Sequence, residues 1–254
     1  MDWSRTKTIL IFAFLILNVF LGYQLYLSKF QLGLESDTAQ NMQWEMENFL
    51  AKQNITLKMD IPQETPELNH LYVEYVTSSI DGRELLEQKS YLETTTLVST
   101  FLNPIEIRDP KSPKDVLNLL QDKVKHLEQY KEDVRWSLEY PNYWQMHDGL
   151  PMFVAPLSFQ IEGNQIKGYR QTYLLVRNQG SGRKIISAYT ALSSLIEKEM
   201  IKSGETIDSI SLGYYGNKYD ADIQVLAPVW RFKHGDKVDY VNGFHGIIEN
   251  PANQ

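Results

Sequence analysis

The sequence predicts an α+β protein: a single N-terminal transmembrane helix, then an extracytoplasmic domain of antiparallel β-sheets, each covered by a helix, with a weak two-fold internal repeat. Three observations predict it. The 254-residue chain has one long uncharged run, Thr8–Ser28, and no later segment approaches ~18 apolar residues. Later segments alternate apolar and polar residues and are rich in aromatic and β-branched types, with 15 tyrosines in all. A helix-and-hairpin pattern occurs twice, 72 residues apart.

The apolar core of the first element, Ile9–Leu27, has 19 residues. At ~1.5 Å per residue it covers roughly 28 Å, close to the ~30 Å hydrocarbon core of a bilayer. Arg5 and Lys7 precede it and Lys29 follows, which favours a cytoplasmic N-terminus. Trp3 suits the inner interface, and Tyr23 and Tyr26 the outer one. A cleaved signal peptide would have an apolar region of about 7–15 residues and a small-residue cleavage site. This run is longer and ends in Tyr23-Gln24-Leu25-Tyr26-Leu27, so it reads as an uncleaved signal anchor. At about 100° per residue, Ile11, Leu15, Asn18, Gly22 and Leu25 share one stripe. That stripe holds the polar and small positions through which membrane helices associate, and these five residues are the candidate partner interface.

The expected order is a cytoplasmic N-terminus (1–8), the membrane helix (9–27), a helical stalk (28–53), a β-rich lobe (54–110) and a C-terminal lobe (111–254). Met42, Met46, Phe49 and Leu50 recur at helical spacing in the stalk, and Ser36 or Asp37 is placed to cap it. Residues 55–61, 70–76 and 94–101 read as strands, Pro62 and Pro66 as a loop, and Asp81-Gly82 as a turn. In the C-terminal lobe, Val154-Ala155-Pro156-Leu157 with Gly163 matches Leu226-Ala227-Pro228-Val229 with Gly235. The same offset carries a helix over 112–129 onto one over 184–201, with Val116, Leu120 and Val124 falling on Ala188, Leu192 and Ile196. Each unit then reads helix, aromatic strand (134–140 or 207–215) and hairpin. The natural packing is two antiparallel sheets, each covered on one face by its helix.

Composition narrows the function. A net charge of −7 argues against nucleic-acid binding. The absence of cysteine removes disulfides, thiolate metal sites and thiol nucleophiles. The five histidines show no metal-ligand spacing; His126 reads as part of a polar helix and His234 as a turn residue. Asp220 and Asp222 lack the further oxygen ligands of a calcium loop. Ser181-Gly182-Arg183-Lys184 spells a serine–lysine spacing, but its companion elements are missing, and Ser181 reads as a cap at a turn entering a helix. No catalytic, cofactor or metal residues emerge. The opposing reading, an anchored cell-wall enzyme or enzyme inhibitor, would require a pair of carboxylates that nothing singles out.

Several segments resemble the YycI (WalI) family of Gram-positive membrane-anchored regulators. They are Met1–Ile9 running into the apolar span, Tyr72-Val73-Glu74-Tyr75, Leu150-Pro151-Met152-Phe153, Pro228-Val229-Trp230-Arg231 and Tyr240–Gly246. The resemblance implies a non-enzymatic, single-pass cell-membrane protein. It would act with a YycH (WalH) partner on the sensor histidine kinase YycG (WalK), through membrane helices, in control of cell-wall metabolism. It leaves open the sign of the effect, and whether the outer domain takes a peptide, a glycan or another protein.

Overall fold

Residues 3–31, 37–76, 88–108, 112–133 and 142–249 are described by the computed structural model. Two units divide the chain, Met1–Leu50 and Ala51–Gln254. The first is helical: α1 (Trp3–Gln31) and α2 (Asp37–Lys52). Leu, Ile, Phe and Ala fill α1, no proline interrupts it, and its 29 residues span about 43 Å. The link between the two helices, with Ser36, lies outside the described residues.

The second unit is built on strands. The first five are β1 (Thr56–Leu57), β2 (Glu67–Leu68), β3 (Leu71–Tyr75), β4 (Gln88–Glu93) and β5 (Thr96–Glu106). After α3 (Pro113–Leu120) come β6 (Tyr130–Glu132), β7 (Asn142–His147), β8 (Leu150–Glu162), β9 (Gln165–Gln171), β10 (Leu174–Gln179) and β11 (Arg183–Lys184). Helix α4 (Ala188–Glu197) precedes β12 (Thr206–Tyr215), β13 (Ile223–His234), β14 (Lys237–Asn242) and β15 (Ile248–Glu249). The aromatic strand expected over 134–140 and the Asp81-Gly82 turn lie outside the described residues.

The unit is α+β, dominated by antiparallel pairing. The expected separate sheets are joined, however: 13 strands form one hydrogen-bonded sheet whose main path runs β10-β3-β13-β12-β8-β9-β5-β4. The join is a single parallel pair between β8 and β12, Met152 opposite Tyr214. It depends on close approach at Gly213, where a Cβ would meet the Pro151 carbonyl at 2.5 Å and the Phe153 ring at 2.6 Å. One residue pair leaves no periodic trace in a sequence. Strands from both sides of residue 110 enter this sheet, since β5 pairs β9 and β3 pairs both β10 and β13.

The two hairpins keep the 72-residue offset. Strands β8 and β9 turn at Gly163 (φ 57°), and β13 and β14 at Gly235 (φ 58°). Only glycine enters this left-handed region without steric cost. Val116, Leu120, Val124, Ala188, Leu192 and Ile196 are all buried, as the repeat requires. Around the first helix they pack with Leu127 on Phe101, Tyr143, Leu157, Phe159, Ile166 and Tyr169. Each fully buried Leu or Phe there contributes about 1.5–3 kcal/mol.

Both helices are shorter than the sequence suggests. The first stops at Leu120, whose carbonyl accepts from both Lys123 N and Val124 N, and His126 turns left-handed at φ 59°. It is therefore a turn residue, not a helical one. The second helix begins only at Ala188, because Arg183 and Lys184 pair with Leu68 and Glu67 as strands. Ser187, not Ser181, is its cap, accepting from Thr190 N at 3.1 Å. The helix ends where Glu199 turns left-handed at φ 56°.

Candidate functional site

Helix α1 carries the five stripe residues. Ile11 (64% exposed) and Leu15 (55%) stand on its surface with Asn18 and Gly22, and nothing lies within 4 Å of a Cβ built on Gly22. A shallow apolar depression is lined by Leu10, Ile11, Phe14, Leu15, Asn18 and Val19. Ile11, Leu15 and Asn18 thus share one open face, as their spacing dictates. Leu25 belongs to α1, but its side chain lies outside the described set. That set covers residues 10–23 of the apolar run, which alone is shorter than the ~20 residues a crossing needs. Among the described residues no helix is long and apolar enough to cross a membrane.

The apolar pattern of the sheet unit is the reverse: its polar clusters are buried. Arg231, nearly inaccessible on β13, donates from Nη1 to Asp133 Oδ2 at 2.8 Å. Trp144 Nε1 donates to the same oxygen at 2.8 Å. The guanidinium lies 4.9 Å from the Phe153 ring centre and 5.7 Å from that of Trp144. Tyr240 packs on Phe153 and stacks on Tyr215 at 4.2 Å. Burial, opposed by the Arg231 charge, pushes the Tyr240 hydroxyl up to about 12. The cluster fixes a cation inside an aromatic box and offers it no route to solvent.

His234 is not a turn residue but the buried last residue of β13. Its Nε2 lies 2.7 Å from Asp239 Oδ2 and its Nδ1 2.8 Å from Glu205 Oε2. The hydrogen bond to Asp239 is the main reason its pKa rises, and burial opposes the rise. An imidazolium donates from both ring nitrogens, one to each carboxylate. Beside it, Asp208 accepts from Lys58 Nζ at 2.6 Å and from Gly235 N at 3.0 Å. The Lys58 hydrogen bond is the main cause of a lowered Asp208 pKa.

Sequence reasoning missed Asp133, Glu205 and Asp239, because they meet Arg231 and His234 only after folding. One signal was available: Arg231 interrupts the otherwise apolar Val229-Trp230-Arg231-Phe232, and a charge there calls for a buried partner. Among the described residues no group of three or more His, Asp or Glu could hold a metal ion. Most of the shared segments prove to be core. Val73, Met152 and Trp230 are fully buried, and Trp230 Nε1 donates to the Ile186 carbonyl at 2.9 Å.

The family model described as YycI protein matches residues 35–244. The chain belongs to the YycI family. YycI proteins are regulators of the YycG/WalK kinase system, not known as enzymes. No curated protein matches. Among solved structures, an uncharacterised protein from Eubacterium rectale is similar at 10% identity and TM-score 0.45, over 78% of this chain and 91% of its own. The Bacillus megaterium YpeB C-terminal domain is similar at 12% identity and TM-score 0.37, over 87% of this chain and 99% of its own.

Proposed function

We propose that this YycI-family chain is a single-pass membrane regulator that binds a sensor histidine kinase of the YycG type through α1, together with a YycH-like partner. The N-terminus lies in the cytoplasm and the sheet unit outside the cell. The observation that carries this reading is α1 itself, an unbroken 29-residue helix with a run of exposed apolar side chains and one amide, Asn18, among them. Exposed Leu10, Phe12, Phe14 and Ile16 are costly in water and cost nothing against lipid tails. Lipid supplies little drive for helix association, so specificity falls to small and polar positions. Asn18 and Gly22 are those positions on the proposed face. An interhelical hydrogen bond from an amide contributes about 0.6 kcal/mol, rarely above ~1.7.

A regulator acts by contacting two kinase states unequally. A difference of about 1–3 kcal/mol changes the balance of states roughly 5- to 150-fold, which is enough to tune expression of cell-wall genes.

The test is recovery of the kinase from mild-detergent membranes with tagged full-length chain, against a chain whose residues 8–27 are replaced by an unrelated single-span helix. Orientation and expression are matched. Recovery with the native span and loss with the exchanged one is the expected result. Recovery with both places the contact in the sheet unit instead. Recovery with neither, while a known membrane complex survives the same extraction, rejects the regulator reading.

A further inference from the structure

After β14, residues 243–246 form a short loop at the end of the strand. Asn242, on the last rung of β14, fixes it. Its Oδ1 accepts from Phe244 N at 2.9 Å and His245 N at 3.3 Å, and its carbonyl accepts from Gly246 N at 2.8 Å. Asn242 Nδ2 donates to Glu249 Oε1 at 3.2 Å. Ile186 N donates to the Gly243 carbonyl at 2.7 Å, which ties the loop to the entry of α4. The loop therefore holds Phe244 half-buried and His245 exposed with little freedom.

A guanidinium and an imidazole converge on Phe244. The Arg183 guanidinium lies 5.0 Å from its ring centre, and the His70 ring lies 4.8 Å away at 50°. His245 stands 6.3 Å from the same ring. The positions are set by backbone bonds: Gly180 N donates to the His70 carbonyl, and Arg183 pairs with Leu68 in the β2–β11 ladder. Glu67, the carboxylate on that ladder, stands opposite Lys184, the alternate residue from Arg183. Among the described residues Arg183 forms no ion pair. The pKa of His70 is lowered by burial first, then by the charges of Arg183 and His245. In a chain of net charge −7, the Arg183 guanidinium and the His70 and His245 imidazoles thus gather around one ring.

We infer that Arg183, His70 and His245, gathered around Phe244, form a binding site for a phosphate group. The guanidinium supplies a planar fork of donors, and the two imidazoles supply N–H donors whose protonation the bound anion would favour. Phe244 sets the spacing and shields one side from water. The phosphate belongs either to a soluble phosphate ester or polymer or to an anionic lipid headgroup. The chemistry of the site is the same for both.

The experiment uses full-length chain labelled with 13C-histidine, in phosphatidylcholine nanodiscs, with the imidazole resonances followed from about pH 5 to 8, the range over which histidine titrates. Inorganic phosphate is added in one arm, at ionic strength held constant with chloride. In a second arm the nanodiscs contain phosphatidylglycerol and no phosphate is added. The expected result is a rise in the titration midpoints of His70 and His245, saturable in phosphate, with His126 and His147 unmoved. Arg183→Gln should abolish the rise while the His234 resonance stays in place, showing an intact fold. A response to soluble phosphate assigns the soluble source, and a response only to phosphatidylglycerol assigns the lipid; either supports the site. No rise in either arm overturns it. So does an equal rise at all four exposed or half-buried histidines, or a rise that Arg183→Gln leaves unchanged.

Discussion

The two hairpins of the sheet unit have the same strands, the same turns and the same offset, yet they differ where it counts energetically. Phe159 on β8 and Arg231 on β13 occupy equivalent places, 72 residues apart, and both are buried. The first is an ordinary core aromatic; the second is a cation with its own carboxylate and aromatic box. At the strand ends, Glu162 is exposed, whereas its counterpart His234 is buried between two carboxylates. The repeat therefore preserves backbone geometry and leaves side-chain chemistry free. Turn glycines and alternation are enough to build a hairpin, and what fills the inward positions is decided by neighbours from elsewhere in the chain.

The sharpest way to break this comparison is Arg231→Ala. It strands Asp133 in a mostly buried site and should cost about 3–5 kcal/mol, seen as a lower urea midpoint. Replacing the pair together, with Arg231→Met and Asp133→Asn, should recover most of that loss, because a well-packed apolar group can substitute for a buried ion pair. A loss below ~1 kcal/mol for Arg231→Ala would mean the charge is solvated and the contrast with Phe159 is void.

Next come the turns. Gly163→Ala and Gly235→Ala each place a Cβ in the left-handed region and should each cost about 1–2 kcal/mol by thermal melts. Equal losses support equivalence of the hairpins, and a large difference refutes it.

The pH dependence of unfolding comes third. His234 has a raised pKa in the folded state, so its contribution is complete below the unfolded histidine value of about 6.5 and is lost as pH rises through the folded value. Stability should fall across that window by at most about 1.4 kcal/mol per pH unit, and His234→Gln should flatten the fall. A profile unchanged by His234→Gln would show that the Glu205–His234–Asp239 cluster is not the titrating element.

The smallest effects belong to surface pairs. Arg170→Ala removes an exposed bridge to Glu93 and should change stability by less than ~1 kcal/mol, with the difference fading in high salt.

The legible parts of the molecule are those encoded by local periodicity. The turns at Gly163 and Gly235, the strand over 207–215 and the inward faces of both helices follow from short-range pattern. The helix ends did not, because β-pairing of Arg183–Lys184 and the left-handed turn at His126 override helical periodicity. On α1 the stripe of Ile11, Leu15, Asn18 and Gly22 follows from helical geometry alone. The group of nitrogen donors around Phe244 had no such trace, since His70, Arg183 and His245 come from three separate segments.

By itself the sequence determined a long apolar N-terminal helix, a strand-rich remainder with two related hairpins, and membership of a regulator family. The helix, the strands and the hairpins follow from composition, from periods of about two and 3.6 residues, and from glycines where the backbone must turn left-handed, whereas the family is carried by matched segments of the sequence. Only the tertiary structure decided that the sheets join at Met152 and Tyr214, and which carboxylates meet Arg231 and His234. Asp133 lies 98 residues from Arg231 along the chain and Glu205 29 from His234, while Asp239 reaches His234 across the hairpin from 5 residues away. Local propensity acts over a few residues, whereas burial of a charge is settled by whatever the completed fold brings within hydrogen-bonding distance.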